Sequence, residues 1–388
     1  MPTRERPRFV VLRIFGLSFA VTIVSLIVAA IYGGPQAVLL VLILSILEIS
    51  LSFDNAVINA TVLRRMSDFW QKIFLTVGIV IAVFGMRLVF PLVIVWLASG
   101  LGPVAALDLA LNPPADGAAY FPDGSASYET LLTDAHPQIA AFGGMFLLML
   151  FLGFILEERE ITWLSWLEKP LARAGKLDQL AVVIAGVLLL ITAAYIAPED
   201  TVSTVMIAGV LGMVTYIAVN GLGELFNTPE EGEDGEIVEG SGGPTALAKA
   251  TGKAGFFLFL YLEVLDASFS FDGVIGAFAI TSDPIIIALG LGFVGAMFVR
   301  SITVFLVRKG TLSDYVYLEH GAHWAIGALA VILLVSIGYH VNENVTGLVG
   351  VALIGAAFIS SIVRNRKAAA AAGTLDDDVD EKKSVPVG

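Results

Sequence analysis

The strongest constraint in this chain is a recurring run of about 20 apolar residues, long enough as a helix to cross a hydrocarbon core of about 30 Å. Such runs fall near 9–32, 37–63, 73–98, 139–157, 179–197, 202–223, 254–280, 284–308, 322–341 and 345–363. In lipid the backbone N–H and C=O groups must be satisfied inside the protein, so apolar runs of this length become helices. Composition agrees: 57% of the 388 residues are hydrophobic and 15% are charged, against roughly 25% charged in a soluble domain. The expected fold is all-α, a polytopic membrane protein of about ten transmembrane helices. The run 9–32 is long for a signal-peptide core and no clear small-x-small cleavage pattern follows it, so it counts as the first span.

Basic residues set the orientation. Arg4, Arg6, Arg8 and Arg13 flank the start of span 1, Arg64, Arg65 and Lys72 follow span 2, and Arg159, Lys169, Arg173 and Lys176 follow span 4. Lys249 and Lys253 precede span 7, Arg308 and Lys309 follow span 8, and Arg364, Arg366 and Lys367 follow span 10. The intervening connections 33–36, 99–138, 198–201, 281–283 and 342–344 carry no Lys or Arg. Positive charge stays on the cytoplasmic side, so both termini are expected there, in a multi-pass protein of the cell membrane. One missed or invented helix would put basic clusters on both sides.

The parts expected are a first membrane segment, 1–226, a cytoplasmic linker, 227–253, a second membrane segment, 254–367, and a disordered acidic tail, 368–388. Much of the net charge of −13 comes from Glu230–Glu239 and Asp376–Glu381, runs that read as solvated linker and tail. Nothing suggests a nucleic-acid partner. The outer connection 99–138, rich in Ala, Pro, Gly and Asp, is expected to form a small cap. With no cysteine, disulfides, Fe–S clusters and thiolate metal sites are excluded.

Leu47-Glu-Ile-Ser-Leu-Ser-Phe-Asp54 in span 2 returns as Leu265-Asp-Ala-Ser-Phe-Ser-Phe-Asp272 in span 7. The next span in each case holds one arginine, Arg87 or Arg300, and the third is preceded by a histidine seven residues before a glycine, His136 with Gly143 and His320 with Gly327. In one order in both places, these matches indicate a duplication. The second copy comes five spans after the first, an odd offset, so it enters the membrane in the opposite direction. Inverted repeats of five plus five recur in transporters, where opposed units rock about a shared site.

Glu48, Asp54, Glu263, Asp266 and Asp272 fall inside spans 2 and 7. A charge at mid-bilayer costs about 2.5–3.5 kcal/mol, so these five with Arg87 and Arg300 would cost on the order of 20 kcal/mol unpaired, beyond the roughly 5–15 kcal/mol of net stability of a typical protein. Arg87 and Arg300 can balance two of the acids; a divalent cation and a proton could balance the rest. Glu48, Ser52 and Asn55 share one helix face and Glu263, Asp266 and Ser270 another, while Asp54 and Asp272 lie off them. All converge if the Ser-x-Ser segments unwind locally, which would also free carbonyls as ligands. A donor set of carboxylate, amide, hydroxyl and carbonyl oxygen suits hard ions such as Mn²⁺, Mg²⁺ or Ca²⁺. His136, His320, His323 and His340 sit near span ends, where an interfacial or structural role is expected.

On the span 2 stretch Leu47-Glu-Ile-Ser-Leu-Ser-Phe-Asp-Asn-Ala-Val57 and its acidic copy, the chain resembles the TerC family of integral membrane proteins, in its larger branch without assigned function. The resemblance implies tellurium-resistance and manganese-exporter relatives. It implicates Glu48, Asp54 and Asn55, and the acids between Glu263 and Asp272; Gly273 stands where the first copy has Asn55. The expected function is export of a divalent cation, Mn²⁺ first and Ca²⁺ next, as substrate rather than permanent cofactor, with a proton as candidate coupling ion. The chain is not expected to be an enzyme. Its rivals are an intramembrane aspartyl-type hydrolase using Asp54 and Asp272, and a non-transporting scaffold of a metal or tellurite stress complex. Reporters fused after Met66 and after Lys249 are expected to read cytoplasmic, and one within 112–125 external; an external reading at Lys249 removes the inverted repeat.

Overall fold

The structure, a computed structural model, describes residues 7–78, 80–114, 118–225, 251–281, 283–308, 315–341 and 343–383. Among them are helices and no named strand, with a single isolated bridge, Tyr120 to Ala126. The linker expected at 227–253 lies outside the described residues apart from its last three.

The first helix, α1, spans Pro7–Leu51. Its 45 residues would reach about 67 Å as a straight helix, twice the hydrocarbon thickness. It is broken where Gly33 and Gly34 leave helical geometry ahead of Pro35, Gly34 at φ 66°, a left-handed conformation cheap only for glycine. Helix α2, Phe53–Leu63, follows after one residue. Next come α3, Asp68–Ile73, two π-helical stretches, Phe74–Gly78 and Ile81–Val89, and α4, Phe90–Ser99. The outer connection forms α5, Pro103–Leu111, and α6, Tyr128–Asp134, whose Ser127 cap accepts a hydrogen bond from the Thr130 backbone N–H at 3.1 Å. Tyr128, Leu132 and Ala106 pack there with Ile94 and Val95 of α4, and burial pushes the Tyr128 phenol pKa well up.

Long apolar helices follow: α7, His136–Ile155, then after a short α8, Ser165–Ala174, the pair α9, Leu180–Tyr195, and α10, Val202–Leu225. The acid-bearing α11 is Gly252–Ile280. Helix α12, Pro284–Ile287, a third π-helical stretch, Ala288–Gly295, and α13, Ala296–Arg308, run on end to end. The chain finishes with α14, Leu318–Ser336, and α15, Glu343–Lys383. Helix α15 runs through five alanines, Ala368–Ala372, strong helix formers.

Seven segments among the described residues are long and apolar enough to cross a membrane: Ile14–Ile49, Asp68–Trp96, His136–Ile155, Val202–Gly221, Pro284–Val307, Leu318–Ser336 and Val345–Lys367. Ten spans result only when α1 is divided at its glycine pair and the shorter α9 and the acidic α11 are added. Large apolar side chains point outward along these helices, Ile31 at 82% exposure, Ile207 at 70% and Leu348 at 68%. Each such side chain left in water forgoes about 1.5–3 kcal/mol; facing lipid it forgoes little. This is a multi-pass membrane protein. Its core lies where α7 packs against α10 and α14, around Met145, Phe146, Leu147, Leu262, Leu265 and Ile326.

Helix α8 is too short to span and escapes a search for apolar runs. It is fastened by Glu168, 4% exposed. Its carboxylate accepts from the backbone N–H groups of Trp163 at 3.0 Å and Leu164 at 3.2 Å and from Trp324 Nε1 of α14 at 3.1 Å, and it meets His320 Nδ1 of α14 at 3.1 Å. His323 stacks on Phe154 at 3.6 Å, and the Arg159 guanidinium lies 4.0 Å from the same ring. Both histidines thus have structural partners. Glu168→Ala is expected to cost about 2–4 kcal/mol, since it leaves buried donors unpaired; Trp324→Phe, which removes one donor and keeps a ring, is expected to cost about 1 kcal/mol. Denaturation midpoints in detergent check both.

Candidate functional site

The two acidic motifs meet where α2 crosses α11. The chain leaves helical geometry only at Ser52 (φ −95°, ψ 13°). The Ser52 N–H still reaches Glu48 O at 2.9 Å, and Ala56 N reaches Ser52 O at 3.1 Å. The expected unwinding is therefore a one-residue kink in the first copy. In the second it is absent: α11 is continuous through Ser268 and Ser270, and the Ser268 hydroxyl donates to Val264 O at 2.9 Å. No proline interrupts α11, and the segment keeps its helical hydrogen bonds.

The face expected to unite Glu48, Ser52 and Asn55 then divides in two. Ser52 Oγ donates to Glu48 Oε1 at 2.6 Å. Glu48, 1% exposed, packs on the second copy: a Cβ added at Gly273 would lie 2.9 Å from its Oε2, and one added at Gly295 would collide with its Cβ and Cγ. Asn55, fully buried, instead donates from Nδ2 to Asp266 Oδ1 at 2.6 Å, an inter-copy bond between neighbouring helices.

Glu263 and Asp266, 7% and 5% exposed, line one cavity of about 30 Å³ with Asn59 of α2, Gly78, and Arg300 and Thr303 of α13. The volume is about that of one water molecule or one ion. Arg300 donates from Nε to Leu75 O at 3.2 Å, and Thr303 donates from Oγ1 to Val299 O at 2.9 Å. Glu263 Oε1 packs on Gly78, 2.8 Å from where a Cβ would stand, and both Glu263 oxygens and Asn59 Oδ1 are buried with no hydrogen-bond donor. Buried oxygens of this kind cost about 1–3 kcal/mol each, more when charged, unless something fills the need.

Of the residues singled out in the sequence, Glu263, Asp266 and Arg300 come together, with Asn55 hydrogen-bonded to Asp266. Glu48 and Ser52 form a separate pair that does not line the cavity. The side chains of Asp54, Arg87, Ser270 and Asp272 lie outside the described residues, and with them the Asp54–Asp272 dyad of the hydrolase reading. Among the described residues no group of three or more His, Asp and Glu side chains is placed to hold a metal ion, so any cation here needs neutral oxygen donors as well. Asn59 and Thr303 are cavity residues that the motif comparison passes over. Asn59 is one helical turn beyond Asn55, a spacing that could have flagged it.

The chain belongs to the family described as "Protein of unknown function (DUF475)", whose model matches residues 53–368, more than three quarters of its length. No curated protein matches, and no solved structure does. Gly295→Ala is expected to destabilise the protein by about 1–3 kcal/mol, the ordinary cost of overpacking, because Glu48 occupies the space a methyl group needs. A lowered melting temperature in detergent checks it.

Proposed function

We propose that this member of an uncharacterised family carries a divalent cation across the cell membrane, with Mn²⁺ the first choice and Ca²⁺ the next, by alternating access between inverted halves. The observation that carries the reading is Glu263: a carboxylate buried in a membrane helix, neither oxygen with a donor, beside a second acid in a cavity of single-ion size. A cation supplies what such a group lacks. Asp266 is the second anionic ligand, held by Asn55, and Arg300 limits the net negative charge of the cavity. Asp54 and Asp272 complete the charge surplus in the ten-span arrangement, with both termini cytoplasmic and a proton as coupling ion. The oxygen-only donor set supports hard ions over Cu⁺. The TerC resemblance supports manganese and export, with metal homeostasis and tellurium resistance as the physiological setting.

The test is flux in proteoliposomes with Mn²⁺, Ca²⁺, Mg²⁺ and Zn²⁺, with and without a pH gradient. Glu263→Gln, Asp266→Asn, Asp54→Asn and Asp272→Asn are each expected to lower flux tenfold or more while the protein remains inserted, since each removes one charge and keeps shape. Mn²⁺ or Ca²⁺ is expected to raise the melting temperature of wild type and not of Glu263→Gln, because a ligand stabilises only the state that binds it. Absence of flux with all four ions overturns transport and favours the scaffold.

A further inference from the structure

The two copies line the cavity unequally. The motif alignment that pairs Asp54 with Asp272 pairs Asn59 with Ala277 and Glu263 with Ser45. The second copy therefore brings the carboxylates Glu263 and Asp266, and the first brings the side-chain amide of Asn59, which has no counterpart. Asn59 is 3% exposed, and its Oδ1 is buried without a donor. It lines the same cavity as Glu263, whose two oxygens are in the same condition. Lone pairs of three unsatisfied oxygens around one ion-sized space repel one another and attract a cation.

We infer that Asn59 Oδ1 is a neutral ligand to the transported ion and sets how tightly the site holds it. The inference rests on the cation-transport reading and adds to it a residue from the opposite copy. A carboxylate at this position would add a third acid to a site that already has two, and a site that binds too tightly releases slowly. An amide oxygen coordinates without that penalty. It also suits Mn²⁺, Ca²⁺ or Mg²⁺, which accept amide carbonyls, better than soft ions.

Two near-isosteric variants separate this role from packing. In Asn59→Leu the oxygen is lost and the volume is kept. The Mn²⁺ concentration giving half the maximal rise in melting temperature is expected to increase about tenfold or more, given that losing even an outer partner of a metal ligand typically costs 10–100-fold in affinity. The metal-free variant is expected to melt no lower than wild type, because an unsatisfied polar atom has gone. In Asn59→Asp the half-point is expected to fall while flux in proteoliposomes slows, a split between binding and turnover that a packing role would not produce. If Asn59→Leu does not fold, Asn59→Asp decides alone, and equal binding and flux to wild type overturns the inference. A wild-type Mn²⁺ response that survives unchanged in Asn59→Leu overturns the ligand role and leaves the transport reading standing. So does a metal-free Asn59→Leu that melts lower than wild type with an unchanged Mn²⁺ half-point, since the amide then serves as a structural donor. A wild type that moves none of Mn²⁺, Ca²⁺, Mg²⁺ and Zn²⁺ in proteoliposomes removes the transport reading and the inference with it.

Discussion

A carboxylate placed in a membrane helix is tolerated only when its surroundings replace what water would have supplied, and the centre of this molecule is arranged around that requirement. Three buried acids meet it in three ways. Glu48 accepts the Ser52 hydroxyl and lies in space left by Gly273 and Gly295. Asp266 accepts the Asn55 amide from the neighbouring helix. Glu263 alone of the three has both oxygens without a hydrogen-bond donor. The helices that press against these acids do so through glycines, Gly78, Gly273 and Gly295, and two of these three stand in π-helical stretches. A π-helical turn shifts the side chains of its helix by one position relative to an α-helix, so the approach of a backbone to each glutamate is tied to the register of the helix that carries it.

Much of this could be read before any coordinates. The apolar runs locate the helices, because in lipid the backbone leaves few alternatives, and the repeated Ser-x-Ser-Phe-Asp segments mark α2 and α11 as the helices that matter. The Glu48, Ser52 and Asn55 face was sound as geometry, but spacing on one helix does not say what lies opposite. Ser52 donates to Glu48, four residues before it in the chain, whereas Asn55 donates to Asp266 of α11, so one helix face serves two different partners. Asn59 stands one helical turn beyond Asn55, but that spacing gains meaning only once the facing acids Glu263 and Asp266 are known. Helix α8 is amphipathic and short, so it has no signature among 20-residue apolar runs, and Glu168 meets Trp324 and His320 only through the tertiary fold.

Contacts between the two sequence copies are of two kinds. Asn55 to Asp266 is a short polar bond across adjacent helices, and Glu48 against Gly295 is close packing without one. The Glu168 contact, in contrast, joins the α7–α9 connection to α14 at the level of the helix ends, where Arg159, Lys169 and Arg173 gather around it. Between these polar contacts the long helices are joined by the apolar core around Met145, Phe146 and Ile326.

The cavity beside Glu263 is small, about 30 Å³, and its size bears on the ion's water as much as on the ion. The cavity is partly open rather than sealed, so on the cation-transport reading an ion beside Glu263 keeps water on its open side while the protein's oxygens replace the waters on the other. The barrier to entry then follows how firmly each ion grips its shell. Mg²⁺ dehydrates reluctantly and demands near-ideal octahedral geometry, whereas larger ions such as Ca²⁺ accept flexible arrangements of oxygen. On the cation-transport reading, a site that replaces part of the shell discriminates against Mg²⁺ by the rate of dehydration as well as by affinity.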